Sequence, residues 1–165
     1  MKYFLGFLIL FISACSTTPK SGSGFVNQTE DQFYLGSDKA VELFKAFDKA
    51  WANKNYDLLK TMISAQASFE FEDGKRANGP DEFIKLIKEE SEKQEALGNS
   101  DTWTTEYAFS VDINTEKKGE WVNAGFTSIP ETSEDDVIKK VYNEWYYFEN
   151  NQLELWYQTM RKIKE

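Results

Sequence analysis

Tyr142, Glu144 and Tyr146 follow one another at a spacing of two. That spacing puts alternate side chains on one face of a β-strand. If the face is the inner one, Glu144 is an acid set among rings. Such a carboxyl loses hydration, its pKa rises, and a tyrosine hydroxyl nearby can hydrogen-bond a substrate oxygen. The chemistry this would support is metal-free proton transfer, with Glu144 as acid or base and Tyr142, Tyr107 or Tyr157 as hydroxyl donor. Asp48, beside Phe47, is a second acidic candidate. The competing expectation for both acids is a solvated carboxylate on a flank or at a rim.

Composition removes most other chemistry. The 165 residues contain no histidine and a single cysteine, Cys15. Ser-His-Asp and Cys-His relays, and zinc sites that need imidazole, are therefore excluded. No glycine-rich loop leads into a lysine and Ser/Thr to cradle phosphate, and the acidic stretch Glu131–Asp136 lacks the oxygen spacing of a calcium loop. We expect no cofactor and no metal. A formal net charge of −9 disfavours nucleic acid, whose binding runs through cationic contacts with phosphate. Thirteen Phe, eight Tyr and five Trp supply apolar area for a core or a lined pocket.

The elements that must position these residues can be read from periodicity. Ala40, Val41, Phe44, Phe47 and Trp51 recur at helical spacing after Ser37, a good N-cap. Asn53-Lys54-Asn55 ends that helix, and Asn55 can cap a short second one over 56–63. Residues 67–72 read as a short strand and Asp73-Gly74 as a turn. A third helix is expected from Pro80 to Ala96. The period then changes to two: Trp103, Thr105, Tyr107, Phe109, Val111 and Ile113 alternate with mostly polar residues. Further strands are expected over 120–129, 138–149 and 153–163. Helices followed by an antiparallel meander make an α+β domain over 37–165.

Asn150-Asn151 reads as a two-residue hairpin turn. Regular pairing from that turn places Tyr142, Glu144, Tyr146, Phe148, Leu153, Leu155 and Tyr157 on one face. Asn143, Trp145, Tyr147, Glu154, Trp156 and Gln158 fall on the other. The first face is richer in aliphatics and is assigned to the core. A one-residue slip would exchange the two. Trp145, Tyr147 and Trp156 then form an outward aromatic patch suited to an interface, with Trp145 opposite Trp156.

The N-terminal residues address location. Lys2 precedes a short apolar run, Tyr3–Ile12, that ends in Ser13-Ala14-Cys15. This is a secretory signal too short to span a bilayer. Ile12-Ser13-Ala14-Cys15 resembles a bacterial lipobox. The resemblance implies cleavage of residues 1–14 and acylation of Cys15 with diacylglycerol and an amide-linked chain such as palmitate. Residues 15–36 would be the lipidated cysteine and a flexible tether. More than one acyl chain suffices for stable anchoring without a transmembrane helix. Ser16 is not the aspartate that retains many such proteins at the inner membrane, so the expected site is the outer membrane, facing the periplasm.

The domain itself resembles nuclear transport factor 2-like (SnoaL-like, polyketide cyclase-like) domains. Phe47–Leu59 resembles their opening helix pair, Asn78–Ile84 the start of their third helix, and Tyr146–Leu153 their last hairpin. The likeness spans roughly 38–163. It implies a cone: a curved antiparallel sheet wrapped around about three N-terminal helices, with a pocket at the open end. Phe47, Trp51, Phe69, Trp103, Tyr107, Phe109, Tyr146 and Phe148 would line that pocket. Catalytic members carry an acidic base with tyrosine or histidine donors, and family members often dimerise through the convex sheet face. The resulting expectation is a lipid-anchored envelope protein that binds a small apolar ligand or a partner, such as a second copy, without catalysis. The alternative is a metal-free isomerase, cyclase or dehydratase using Glu144.

Overall fold

The structure, a computed structural model, describes residues 21–26, 31–100, 102–113, 118–132 and 136–165. Cys15 and the signal and anchor expected around it lie outside the described residues.

Helix α1 (Asp38–Ala52) starts where Ser37 accepts a hydrogen bond from the Ala40 amide at 3.3 Å, and buries the stripe Ala40, Phe44, Phe47 and Ala50. Asn55 caps α2 (Tyr56–Thr61) by accepting from the Leu58 amide at 3.2 Å. After β2 (Ile63–Glu70) and a short β3 (Arg76–Asn78) comes α3 (Gly79–Ala96), with Pro80 in its first turn. The strands β4 (Thr104–Asp112), β5 (Glu120–Ser128), β6 (Val137–Glu149) and β7 (Gln152–Lys164) complete the meander. The segment expected as tether contributes an edge strand, β1 (Tyr34–Leu35), paired with β4.

Among the described residues the fold is α+β, and these strands form one curved, unclosed sheet in the order β1-β4-β5-β6-β7-β2-β3. All neighbours are antiparallel except β2 and β7, which run parallel. Periodicity does not expose that pairing, because β2 reaches β7 across the helices rather than through a hairpin. The three-residue β3 was likewise too short to register as a pattern.

Curvature comes from bulges. Thr105 pairs with Phe126 and Tyr107 with Gly125, which leaves Glu106 as an extra residue. Phe148 pairs with Leu153 and Tyr147 with Leu155, which leaves Glu154 as another. Each extra residue bends its strand and increases its twist, so the sheet wraps α1. The core fills the wrap: Phe69 stacks on Phe83 at 4.1 Å between ring centroids, and Phe44 meets Tyr146 edge-on at 5.0 Å.

α3 turns back from β3 at Gly79, whose φ is +70°. A Cβ there would also stand 3.0 Å from the Ala65 carbonyl oxygen. Gly79→Ala should cost about 1–3 kcal/mol, since a side chain in the left-handed region is strained even without crowding. A lower urea midpoint with the same secondary structure by circular dichroism is the expected reading, and an unchanged midpoint would contradict this backbone.

Candidate functional site

A cavity of about 170 Å³ opens between α1, α3 and the concave face of the sheet. Glu144 sits in its lining, 6% exposed. The inward face of β6 carries it there between Tyr142 and Tyr146, and both tyrosines also line the cavity.

Three donors hold the Glu144 carboxylate. The Tyr146 hydroxyl donates to Oε2, and Trp156 Nε1 donates to the same oxygen at 3.0 Å. Gln158 Nε2 donates to Oε1 at 2.6 Å. Burial raises the Glu144 pKa, and the three hydrogen bonds only partly oppose that; the negative Asp48 nearby adds to the rise. Tyr146 is pushed well above the ordinary tyrosine value by burial and by Glu144, so it stays protonated and keeps donating. Among the described residues Oε1 carries a single donor, Gln158, which leaves it capacity to accept or give a proton.

Asp48 lies on α1 in the same cavity lining. Trp103 Nε1 donates to its Oδ1 at 2.9 Å and Thr105 Oγ1 to its Oδ2 at 3.0 Å. Both oxygens are thereby fixed, and the side chain is half-buried rather than on a solvated flank.

The structure redistributes the other site residues expected from sequence. Trp51, Trp103, Tyr142 and Tyr146 meet Glu144 around the cavity. Phe47, Phe69 and Phe148 are fully or nearly fully buried and outside its lining, so they are core rather than pocket. Tyr107 and Phe109 are not in the pocket: the bulge at Glu106 turns them to the convex side, where their rings stack. Tyr107 is 48% exposed and its ring lies across Gly125, where any Cβ would collide with it at 2.3 Å. It accepts from Asn143 Nδ2 at 3.0 Å and cannot serve Glu144 as a donor from that side of the sheet.

The bulge at Glu154 overturns the expected faces of β7. Trp156 pairs with Tyr146 and points inward, 1% exposed; it is not an interface residue. Tyr157 pairs with Trp145 and points outward, 39% exposed, so it is not the hydroxyl donor beside Glu144. The outward aromatic group is instead Trp121, Trp145, Tyr147 and Tyr157, with Trp121 and Tyr147 rings 5.1 Å apart. Regular alternation thus missed Trp156 and Gln158 as partners of Glu144. No local signal marked the bulge: Leu153-Glu154-Leu155 is itself regular alternation, and the bulge leaves Leu155 on the outer face, 41% exposed.

No family model matches this sequence, and no curated protein matches it. Solved structures do resemble it. A candidate ketosteroid isomerase from Kribbella flavida superposes with a TM-score of 0.56 at 9% identity, over 79% of this chain and 84% of that one. An LEH-like epoxide hydrolase from M. tuberculosis gives 0.54 at 11% identity, over 76% and 84%. A candidate polyketide cyclase from Xanthomonas campestris gives 0.52 at 11% identity, over 74% and 90%. At such identities the likeness establishes the fold, which is nuclear transport factor 2-like.

Proposed function

We propose that the domain is a metal-free acid–base enzyme acting on a small molecule, with Glu144 as the proton-transferring group. The observation that carries this reading is a desolvated carboxyl in a cavity wall, held by the hydrogen bonds of Tyr146, Trp156 and Gln158. A carrier for an apolar ligand has no use for that arrangement. Burying an ionisable group costs stability, and its retention in a ligand-sized cavity fits catalysis better than passive binding. A cavity of about 150 Å³ accepts a benzene-sized guest, so a substrate with few ring or chain atoms suits this one.

Glu144 would move a proton to or from a carbon or oxygen of the substrate. Tyr146, Trp156 and Gln158 would position it and balance its charge, and the Tyr142 hydroxyl would face the substrate as a donor. The neighbours named for isomerase, cyclase and epoxide hydrolase activities are consistent with such chemistry in this fold. The test is exchange of solvent deuterium into a panel of small ketones and amino ketones, and hydration of small epoxides, followed by mass spectrometry. Wild type should turn over at least one compound, and Glu144→Gln should slow it by about 10²–10⁴-fold. Turnover that survives the substitution would overturn the assignment.

We further propose that Cys15 is acylated and holds the domain at the cell envelope, at the outer membrane facing the periplasm. The sequence around Cys15 supports this reading. Metabolic labelling with an alkynyl palmitate analogue should mark the wild-type chain in the membrane fraction, whereas Cys15→Ser should be unlabelled and released. Equal labelling of both would refute it.

A further inference from the structure

We infer that the molecule bound in the Glu144 cavity carries a positive charge, as a protonated or quaternary amine; this rests on the reading of that cavity as the substrate site. Large aromatic side chains line the cavity, among them Trp51, Phe71 and Trp103. Asp48, Glu72 and Glu90 join Glu144 in the lining, and Lys140 is the cationic side chain among the lining residues. Carboxylates therefore outnumber ammonium groups around the cavity even with Glu144 protonated.

The compensation of those acids is incomplete. Asp48 takes its hydrogen bonds from neutral donors, Trp103 and Thr105. Glu90 accepts from the neutral Gln94 amide at 2.7 Å, and Lys93 stands 4.0 Å away on the same helix. The Glu72 pKa is raised first by burial and then by repulsion from Asp73 and Glu90; its backbone hydrogen bond and Lys140 oppose this only in part, and Lys75, beyond the lining, also attracts Glu72 and Glu90. The chain as a whole is also strongly acidic. A carboxylate, phosphate or sulfate ester would meet like charge from Asp48, Glu72 and Glu90. An ammonium group would gain from the acids, and from the aromatic faces through cation–π attraction in a partly desolvated site. The combination of aromatic walls and uncompensated acids is what separates this cavity from a plain apolar pocket.

The experiment titrates the full chain with choline and with 3,3-dimethylbutan-1-ol, its neutral isostere, by calorimetry and tryptophan fluorescence. Choline should bind at least about tenfold more tightly than the alcohol. The double variant Glu72→Gln/Glu90→Gln, which leaves Glu144 and its donors untouched, should narrow that ratio to about threefold or less. Equal affinity for the two probes, a ratio unmoved by the double variant, or no saturable binding of choline would each overturn the inference. The readout is separable from catalysis. Isotope exchange that fails in wild type while the choline preference persists sinks the enzyme reading alone, and exchange confined to uncharged substrates with no choline preference sinks the charge assignment alone.

Discussion

Glu144→Gln should unfold at a higher urea concentration than wild type at pH 8, by a margin that shrinks towards pH 5. The sign follows from the direction of the Glu144 shift. Burial raises the carboxyl pKa in the folded protein, and the opposing hydrogen bonds from Tyr146, Trp156 and Gln158 do not cancel that rise. In the unfolded chain the group titrates at its ordinary value, near 4.3. Between the two values the folded state binds the extra proton, so stability falls as pH rises through that window and stays reduced above it. Glutamine cannot ionise and carries no such loss. Its carbonyl can accept from Tyr146 and Trp156, and rotation of the Gln158 amide can turn a carbonyl towards the new NH₂ group. A margin that is flat with pH, or that grows towards pH 5, would contradict a raised Glu144.

The alanine variant at the same position should behave in the opposite way. Glu144→Ala removes the common acceptor of three donors, two of them on the nearly fully buried Tyr146 and Trp156. Stranding such groups should cost about 2–4 kcal/mol. A site whose isosteric neutral variant gains stability while losing turnover, and whose truncation loses both, has a carboxyl kept for its proton rather than for the fold. Functional sites commonly show this opposition between stability and activity.

How much of this was legible in the sequence differs by element. The Ser37 and Asn55 caps, the α1 stripe and the Asn150-Asn151 turn are local signals, and local chemistry decides them. Both asparagines of the turn have positive φ in the structure, +50° and +66°, as a two-residue hairpin of this kind requires. Glu144 between two tyrosines could be found as well, because on β6 the alternation runs unbroken from Lys139 to Tyr147. What could not be read was everything across a bulge. Period two carries face assignments only while pairing is regular, and one extra residue inverts each position beyond it. Tyr107 and Phe109 were misplaced by Glu106, and Trp156, Tyr157 and Gln158 by Glu154. Phe47, Phe69 and Phe148 failed for another reason: an inward residue can be deep core or cavity wall, and only the packing of α1 and α3 against the sheet decides which.

The inverted face of β7 gives the second large expectation, a strong asymmetry between two adjacent aromatic residues. Trp156→Ala should destabilise the domain by about 3–5 kcal/mol, the range for a large buried aromatic. Its ring centroid lies 5.0 Å from Phe71, 5.8 Å from Phe83 and 5.9 Å from Trp51, and its indole N–H is bound to Glu144. Truncation would therefore open a void and free one lone-pair site on a buried carboxylate. Tyr157→Ala removes only ring contacts with Trp121 and Trp145 on a face open to solvent, which are worth about 1 kcal/mol. Regular alternation from the Asn150-Asn151 turn would put Tyr157 inside and Trp156 outside, and so demands the reverse order. Urea unfolding followed at 222 nm ranks the two variants without relying on the tryptophan that one of them lacks. If Tyr157→Ala proved the more damaging, Glu154 would not be a bulge, Gln158 would face away from Glu144, and the proposed catalytic carboxyl would lose two of the three groups that hold it.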